Sequence, residues 1–134
     1  MAAPNIVNVA TINGSIAYQA LTNTNNNALV SNAASSNTVY KINNIFVSNV
    51  NGVSAATVTL SYRSAANAVT DGTLTTASSG TAYRMAYQIS VPANTTLMLL
   101  DKSGAIYLPE NSSLSVQAGT ASYLEVTASY EQIS

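Results

Sequence analysis

The residues of this chain that could perform acid–base chemistry are few, and all of them are carboxylates. There is no His and no Cys, so the chain lacks the side chain most used for proton transfer near neutral pH and the preferred ligands of zinc, iron and copper. Two carboxylates can hydrolyse a glycosidic bond when the fold brings them together. The acids stand one by one along the chain: Asp71, Asp101, Glu110, Glu125 and Glu131. The sequence therefore predicts a protein that is not an enzyme, with no cofactor and no metal site; an enzyme built on two carboxylates is the least favoured alternative.

Sequence motifs for other ligands are absent as well. The six glycines are far apart, so they form no phosphate-binding loop. Four basic residues and a net charge of −1 give no footprint for nucleic acid. No apolar run approaches the roughly 20 residues of a membrane span, and the first residues lack the basic and apolar regions of a signal peptide. We expect no nucleic-acid partner, no membrane partner and no signal peptide.

The charge content is unusually low. Only 7% of the residues are charged, against about a quarter in an ordinary soluble domain. A free monomer uses Lys and Glu to stay dispersed and to protect the edges of its sheets. Either Ser, Thr and Asn keep this surface wet, or much of the surface lies against other subunits. The second interpretation is favoured.

Alternation of apolar and polar residues predicts strands rather than helices. One stretch places Tyr83, Met85, Tyr87, Ile89 and Val91 on a single face, as a half-buried strand requires. The same period recurs around residues 58–62, 114–118 and 124–130. We predict a core of ten residues: Val58, Leu60, Met85, Ile89, Leu97, Leu99, Leu114, Val116, Leu124 and Val126.

Turn signals divide the chain into eight to ten short strands. Asn13-Gly14 and Asn51-Gly52 are typical of hairpin turns with positive φ at Gly. Strands about 8–12 residues apart are typical of a sandwich or barrel. We predict an all-β fold, an antiparallel, jelly-roll-like β-sandwich, as a single domain over residues 1–134. Two of its parts stand out: a flexible or contact-making N-terminal segment (about 1–8) and a long polar loop (about 64–80) that is either loose or involved in contacts.

Two tyrosines and the N-terminal segment are the candidate contact surface. Tyr carries a large contact area at low entropic cost and is enriched in interfaces. Tyr123 falls on the polar face of the last predicted strand, and the neighbours of Tyr107 would point the other way. The uncharged residues Asn5, Ile6 and Val7 could lie along the sheet edge of a partner.

Several segments resemble small virion structural proteins of tailed phages that infect cyanobacteria and other aquatic bacteria. The likeness is colinear over most of the chain except the 64–80 loop. It is carried by VATING (9–14), VSNVNG (47–52), ISVPA (89–93), AIYLPE (105–110), LEV (124–126) and SYEQIS (129–134). These are strand-and-turn patterns, so no residue role carries over.

The resemblance implies a repeated β-sandwich of the virion that decorates or cements the head, or belongs to the tail or neck. The expected function is a capsid decoration protein, assembled in the host cytoplasm and located in the virion. Its expected partners are copies of itself, a trimer being the first guess, and the major capsid protein or another virion protein. A host-surface carbohydrate-binding module is the alternative from a different class.

Overall fold

The structure is a computed structural model that describes residues 8–134, and the chain folds into strands over most of that range. Nine strands and one 3₁₀ turn follow each other along the chain. They are β1 (Ile12–Leu21), β2 (Asn27–Asn32), β3 (Val39–Asn49), β4 (Ala56–Arg63), β5 (Ala82–Val91), β6 (Thr96–Leu100), the 3₁₀ turn (Lys102–Gly104), β7 (Ile106–Leu108), β8 (Ser112–Ala118) and β9 (Leu124–Ile133). The all-β prediction and the predicted number of strands are confirmed.

The strands form two antiparallel sheets of a β-sandwich. Sheet A has the order β1-β9-β3-β6, with β7 also on β3, and sheet B has the order β2-β8-β4-β5. Most of the pairs are nested along the chain: β1 pairs with β9, β2 with β8, β3 with β6 and β7, and β4 with β5. One lateral side of the sandwich therefore carries β1 and β2, and the opposite side carries β5 and β6.

The core lies between the sheets and is built by the alternating residues of the central strands. Six of the ten predicted core residues are fully enclosed: Val58, Leu60, Leu114, Val116, Leu124 and Val126. Leu97 and Leu99 are partly buried and pack against this cluster. Their strand, β6, lies at the edge of sheet A, so solvent reaches one side of it.

The core prediction is wrong for Met85 and Ile89, each of which is 40% exposed. They belong to β5, the edge strand of sheet B. The register between β4 and β5 shifts twice, on either side of the pair Leu60 and Ala86. Each shift is a bulge that breaks the two-residue period, and Gln88 in one of them has φ +50°. The alternation read from the sequence therefore does not correspond to one buried face.

The predicted hairpin turn at Asn13-Gly14 is also wrong. Gly14 lies inside β1 and pairs with Glu131 of β9. Gly52 does lie in the connection between β3 and β4, but the described glycines with positive φ are Gly72 and Gly80. Pairing of β1 with β9 along its whole length outweighs the local turn preference.

The loop over residues 64–80 folds back on the sandwich and packs against the side formed by β1 and β2. The amide of Ala28 donates to the carbonyl of Thr75 at 2.9 Å, so the loop pairs with the outer edge of β2. The amide of Gly72 donates to the carbonyl of Tyr18 at 2.9 Å, which attaches the loop to β1 as well. Asn67 ties the loop together and donates to Ser113 Oγ of β8 at 2.9 Å. The 64–80 loop therefore covers the outer edge of β2 and contacts the edge of β1 at Tyr18.

Candidate contact surface

The part of the chain that the structure describes presents exposed apolar and charged side chains. No group of three or more His, Cys, Asp or Glu side chains within residues 8–134 could hold a metal ion. Over the same range, no helix has the length and apolarity to cross a membrane.

The structure does not bring the sequence-predicted contact residues together. Tyr107 is exposed on β7, opposite Lys41 of β3. Tyr123 is half-buried against the core and lies near the other end of β3, where its carbonyl accepts a hydrogen bond from the amide of Val50 at 2.8 Å. Those two points of β3 are about 30 Å apart along the strand at ~3.3 Å per residue. Asn5, Ile6 and Val7 lie outside the described residues.

The largest cluster of exposed apolar side chains on one strand lies on β5. We call it the β5 surface and define it by Tyr83, Arg84, Met85, Tyr87 and Ile89. Tyr83 and Tyr87 are 60% and 59% exposed, although an aromatic side chain contributes most to the stability of a core or an interface when it is buried. The guanidinium of Arg84 lies over the ring of Tyr87, 5.7 Å from its centroid, so the cation is held in place on this edge.

A second surface lies on the opposite lateral side, where Tyr18 of β1 forms the wall of a hollow. We call it the Tyr18 hollow; its cavity measures about 260 Å³. Its lining includes Tyr18, Ala20, Gly72, Glu125 and Thr127. The ring of Tyr18 is half-exposed and Glu125 is exposed. The small residues Ala20 and Gly72 leave the space between the ring and the carboxylate open.

The strand register explains how these residues meet. Tyr18 is directly opposite Thr127, and Ala20 is directly opposite Glu125, so Tyr18 and Glu125 are diagonal neighbours on the outer face of sheet A. Such diagonal pairs are about 7–8 Å apart and within reach of long side chains. The apolar row continues across the sheet, because Phe46 also pairs with Thr127 and Met98 pairs with Phe46.

The charged groups of the two surfaces have no hydrogen-bond or ion-pair partner within residues 8–134. This holds for the carboxylate of Glu125, and Arg84 has only its contact with Tyr87. By contrast, Glu131 accepts from Asn43 Nδ2 at 3.0 Å, and Glu110 accepts from the amide of Asn37 at 3.1 Å. Glu125 and Arg84 are therefore charges available for an outside partner.

The side chains with shifted pKa values, Tyr40 and Asp101, lie outside both surfaces, and their shifts have structural causes. Burial, and then the neighbouring Tyr130, raise the pKa of Tyr40, whose ring stacks on that of Tyr130 with centroids 5.3 Å apart. Hydrogen bonds from the hydroxyl of Ser103 and the amide of Gly104 lower the pKa of Asp101, which caps the 3₁₀ turn. Neither group belongs to the β5 surface or the Tyr18 hollow.

No protein-family model, no curated protein and no solved structure matches this chain. Support for the β5 surface and the Tyr18 hollow therefore comes from their geometry.

Sequence reasoning missed both surfaces. It assigned the β5 side chains to the core because their alternation was regular, and bulges cannot be seen in that pattern. The sequence offers no signal of this exposure, because polar residues such as Arg84 and Gln88 on the other face are also what a half-buried strand requires. For the Tyr18 hollow the sequence carries no local signal, since Tyr18, Gly72 and Glu125 are far apart in the chain.

Proposed function

We propose that this protein is a virion structural protein of a tailed phage, a capsid decoration or cement protein that binds the head shell through repeated symmetric contacts. Its role is non-catalytic, and its partners are copies of itself, as a homotrimer, and the major capsid protein or another virion protein. The virion is its proposed location.

The β5 surface is the observation that carries the proposal. Within residues 8–134, β5 pairs on one side only, and five neighbouring side chains on it are exposed. On the opposite side of the sandwich the chain's own loop pairs with the edge of β2 and contacts β1 at Tyr18, which leaves the hollow beside Tyr18 and part of β1 open. Because charged residues make up only 7% of the sequence, little charge opposes association at the open edge. An edge with exposed Tyr and Met is suited to a protein whose neighbours cover it.

The strand order supports a jelly-roll topology for this sandwich, and we propose that topology here. The nested antiparallel pairs, from β1 with β9 inwards to β4 with β5, are those expected when a long hairpin is rolled into two four-stranded sheets. Jelly rolls build viral capsid and lectin domains. The resemblance of the sequence to phage virion proteins agrees with the first of these.

Many weak contacts can hold such a protein on a shell. A symmetric oligomer presents each contact several times, and effective concentration multiplies the affinity of the individual contacts. No reaction is needed for this mechanism, and uncharged Ser, Thr, Asn and Tyr are less costly to bury than Lys or Glu.

The test is to locate the chain in virions of the phage that encodes it. A density map of intact particles should show the domain on the head, and purified protein should bind capsids from which it has been stripped. The double variant Tyr83→Asn/Tyr87→Asn should bind less, whereas Val53→Asn, at a residue 89% exposed in the β3–β4 connection, should bind as the wild type does. Labelling confined to the tail or neck would assign that location instead. Binding to host cells or polysaccharide without binding to particles would favour a glycan-binding module.

A further inference from the structure

The β5 surface and the Tyr18 hollow complement each other but cannot meet within one molecule. Arg84 lies on β5 at one lateral side of the sandwich, and the hollow lies beside β1 at the other. One surface offers a guanidinium that lies over the ring of Tyr87, and the other offers an aromatic ring beside a carboxylate. Only a second copy can join them.

We propose that copies of this chain associate head to tail, with Arg84 of one copy entering the Tyr18 hollow of the next, between the ring of Tyr18 and the carboxylate of Glu125. This inference deepens the proposed function and rests on its homo-oligomer.

The composition of the hollow selects a cationic donor. The polar side chains of the hollow include the carboxylate of Glu125, which only accepts, and the hydroxyls of Tyr18 and Thr127, which accept or donate. The Nε2 of Gln19, the other polar side chain of the lining, already donates to the carbonyl of Thr70. Asp71, which precedes Gly72 in the loop, is also exposed and adds negative charge to this side of the molecule. A guanidinium can stack on an aromatic ring while its N–H groups bind a carboxylate, and that combination uses both elements of the hollow.

Among the chain's own basic residues, Arg84 fits best. Arg63 is buried and donates to the carbonyls of Ser79 and Gly80. Lys41 is half-buried and stands opposite Glu131 in the register. Lys102 is exposed, but it lies in the 3₁₀ turn, where no residue is buried. Arg84 is exposed and lies over the ring of Tyr87, an aromatic side chain that can cover the apolar row starting at Tyr18.

The bulges of β5 determine the kind of contact. A continuous ladder with a strand of the next copy needs a regular edge, and β5 has two register shifts against β4. Bulges are one of the devices that prevent strands from pairing edge to edge. The contact is therefore made by side chains. A contact between two different surfaces is heterologous, and it closes into a ring when the rotation permits, as a symmetric decoration protein requires.

Charge exchange in the purified full-length protein tests the pairing without capsids. We expect wild-type chain to sediment as an oligomer. Arg84→Glu and Glu125→Arg should each raise its dissociation constant about tenfold or more, since each places like charges in contact. The double variant Arg84→Glu/Glu125→Arg should return the constant to within about threefold of wild type, because the charges are again opposite. Lys102→Glu, which changes the net charge as Arg84→Glu does, should leave the oligomer intact.

Three other results would overturn the proposed contact. A monomeric wild type excludes the contact, and unchanged dissociation in either single variant excludes that residue from it. Loss in both single variants without recovery in the double variant shows that the residues do not face each other; circular dichroism of every variant verifies that the fold is kept. An oligomer that behaves as expected but does not bind capsids would refute the proposed function and leave this contact standing.

Discussion

The ring of Tyr18 packs against Gly72, and the same two residues share a backbone hydrogen bond. The amide of Gly72 donates to the carbonyl of Tyr18 at 2.9 Å. A Cβ added to Gly72 would lie 3.2 Å from Cε2 of the ring. This contact joins the 64–80 loop to β1 and sets the position of the aromatic wall of the hollow.

Replacement of Gly72 by Ala should destabilise the protein. Gly72 has φ +80°, a conformation that costs an L-residue about 1–2 kcal/mol, and the new methyl group would also press on Tyr18. Gly14→Ala is the matched control, since nothing lies within 4 Å of the position of its Cβ. Urea unfolding should show a loss for Gly72→Ala and none for Gly14→Ala. Equal stability of the two variants would contradict the role assigned to Gly72.

Truncating a core leucine should lower the free energy of unfolding far more than truncating an exposed side chain of β5. Leu60 and Leu124 are each 1% exposed, so Leu60→Ala or Leu124→Ala should lower the free energy of unfolding by about 2–5 kcal/mol. Met85→Ala should cost about 1 kcal/mol or less, because Met85 is substantially exposed. Denaturant titration of the three variants decides this. At concentrations where the protein is monomeric, a loss at Met85 as large as that at Leu60 would mean that β5 is covered by its own chain.

Asn67 should determine whether the 64–80 loop stays folded. Its Oδ1 accepts from the amides of Ser78 and Ser79, and its Nδ2 donates to Ser113 Oγ. Asn67→Ala leaves these groups without their partner and should cost about 1–3 kcal/mol. Limited proteolysis should then cut within residues 64–80 sooner than in Asn13→Ala, whose substitution is on an exposed position of β1. Equal cleavage rates would show that the loop does not depend on Asn67.

Stability should fall in alkaline solution partly through Tyr40. Burial raises the pKa of this residue in the folded chain above its ordinary value of 10.0, with Tyr130 as a second cause. Between the ordinary and the raised pKa the unfolded chain has released the proton and the folded chain still holds it, so stability decreases as the pH rises through this window. Below pH ~9 the contribution is constant, because both states keep the proton. Tyr40→Phe should therefore lose less stability than wild type between about pH 8 and about pH 11 in urea unfolding; parallel losses would contradict the assignment.

The alternation of residues by itself determined the class of fold and the centre of the core. The strands β4, β8 and β9 are each paired on both sides, and one face of each lies against the other sheet. The apolar residues that alternate along them lie on that face, which is why Leu60, Val116 and Val126 were predicted correctly. The polar residues between them, such as Ser61 and Ser115, are buried as well.

Tertiary structure alone determined how the strands at the sheet edges pair and which of their side chains are exposed. Gly14 follows Asn13 as in a hairpin turn, yet β9 pairs with every residue around it, and those long-range hydrogen bonds outweigh a local preference. Two bulges interrupt the alternation of β5. Its place at the edge of sheet B also leaves Ile89 partly exposed, although Ile89 pairs with the buried Val58. The Tyr18 hollow likewise exists only because β1, β9 and the 64–80 loop meet. Local sequence specifies which residues alternate, whereas the partner strand and the loop that covers an edge determine which of them remain in contact with solvent.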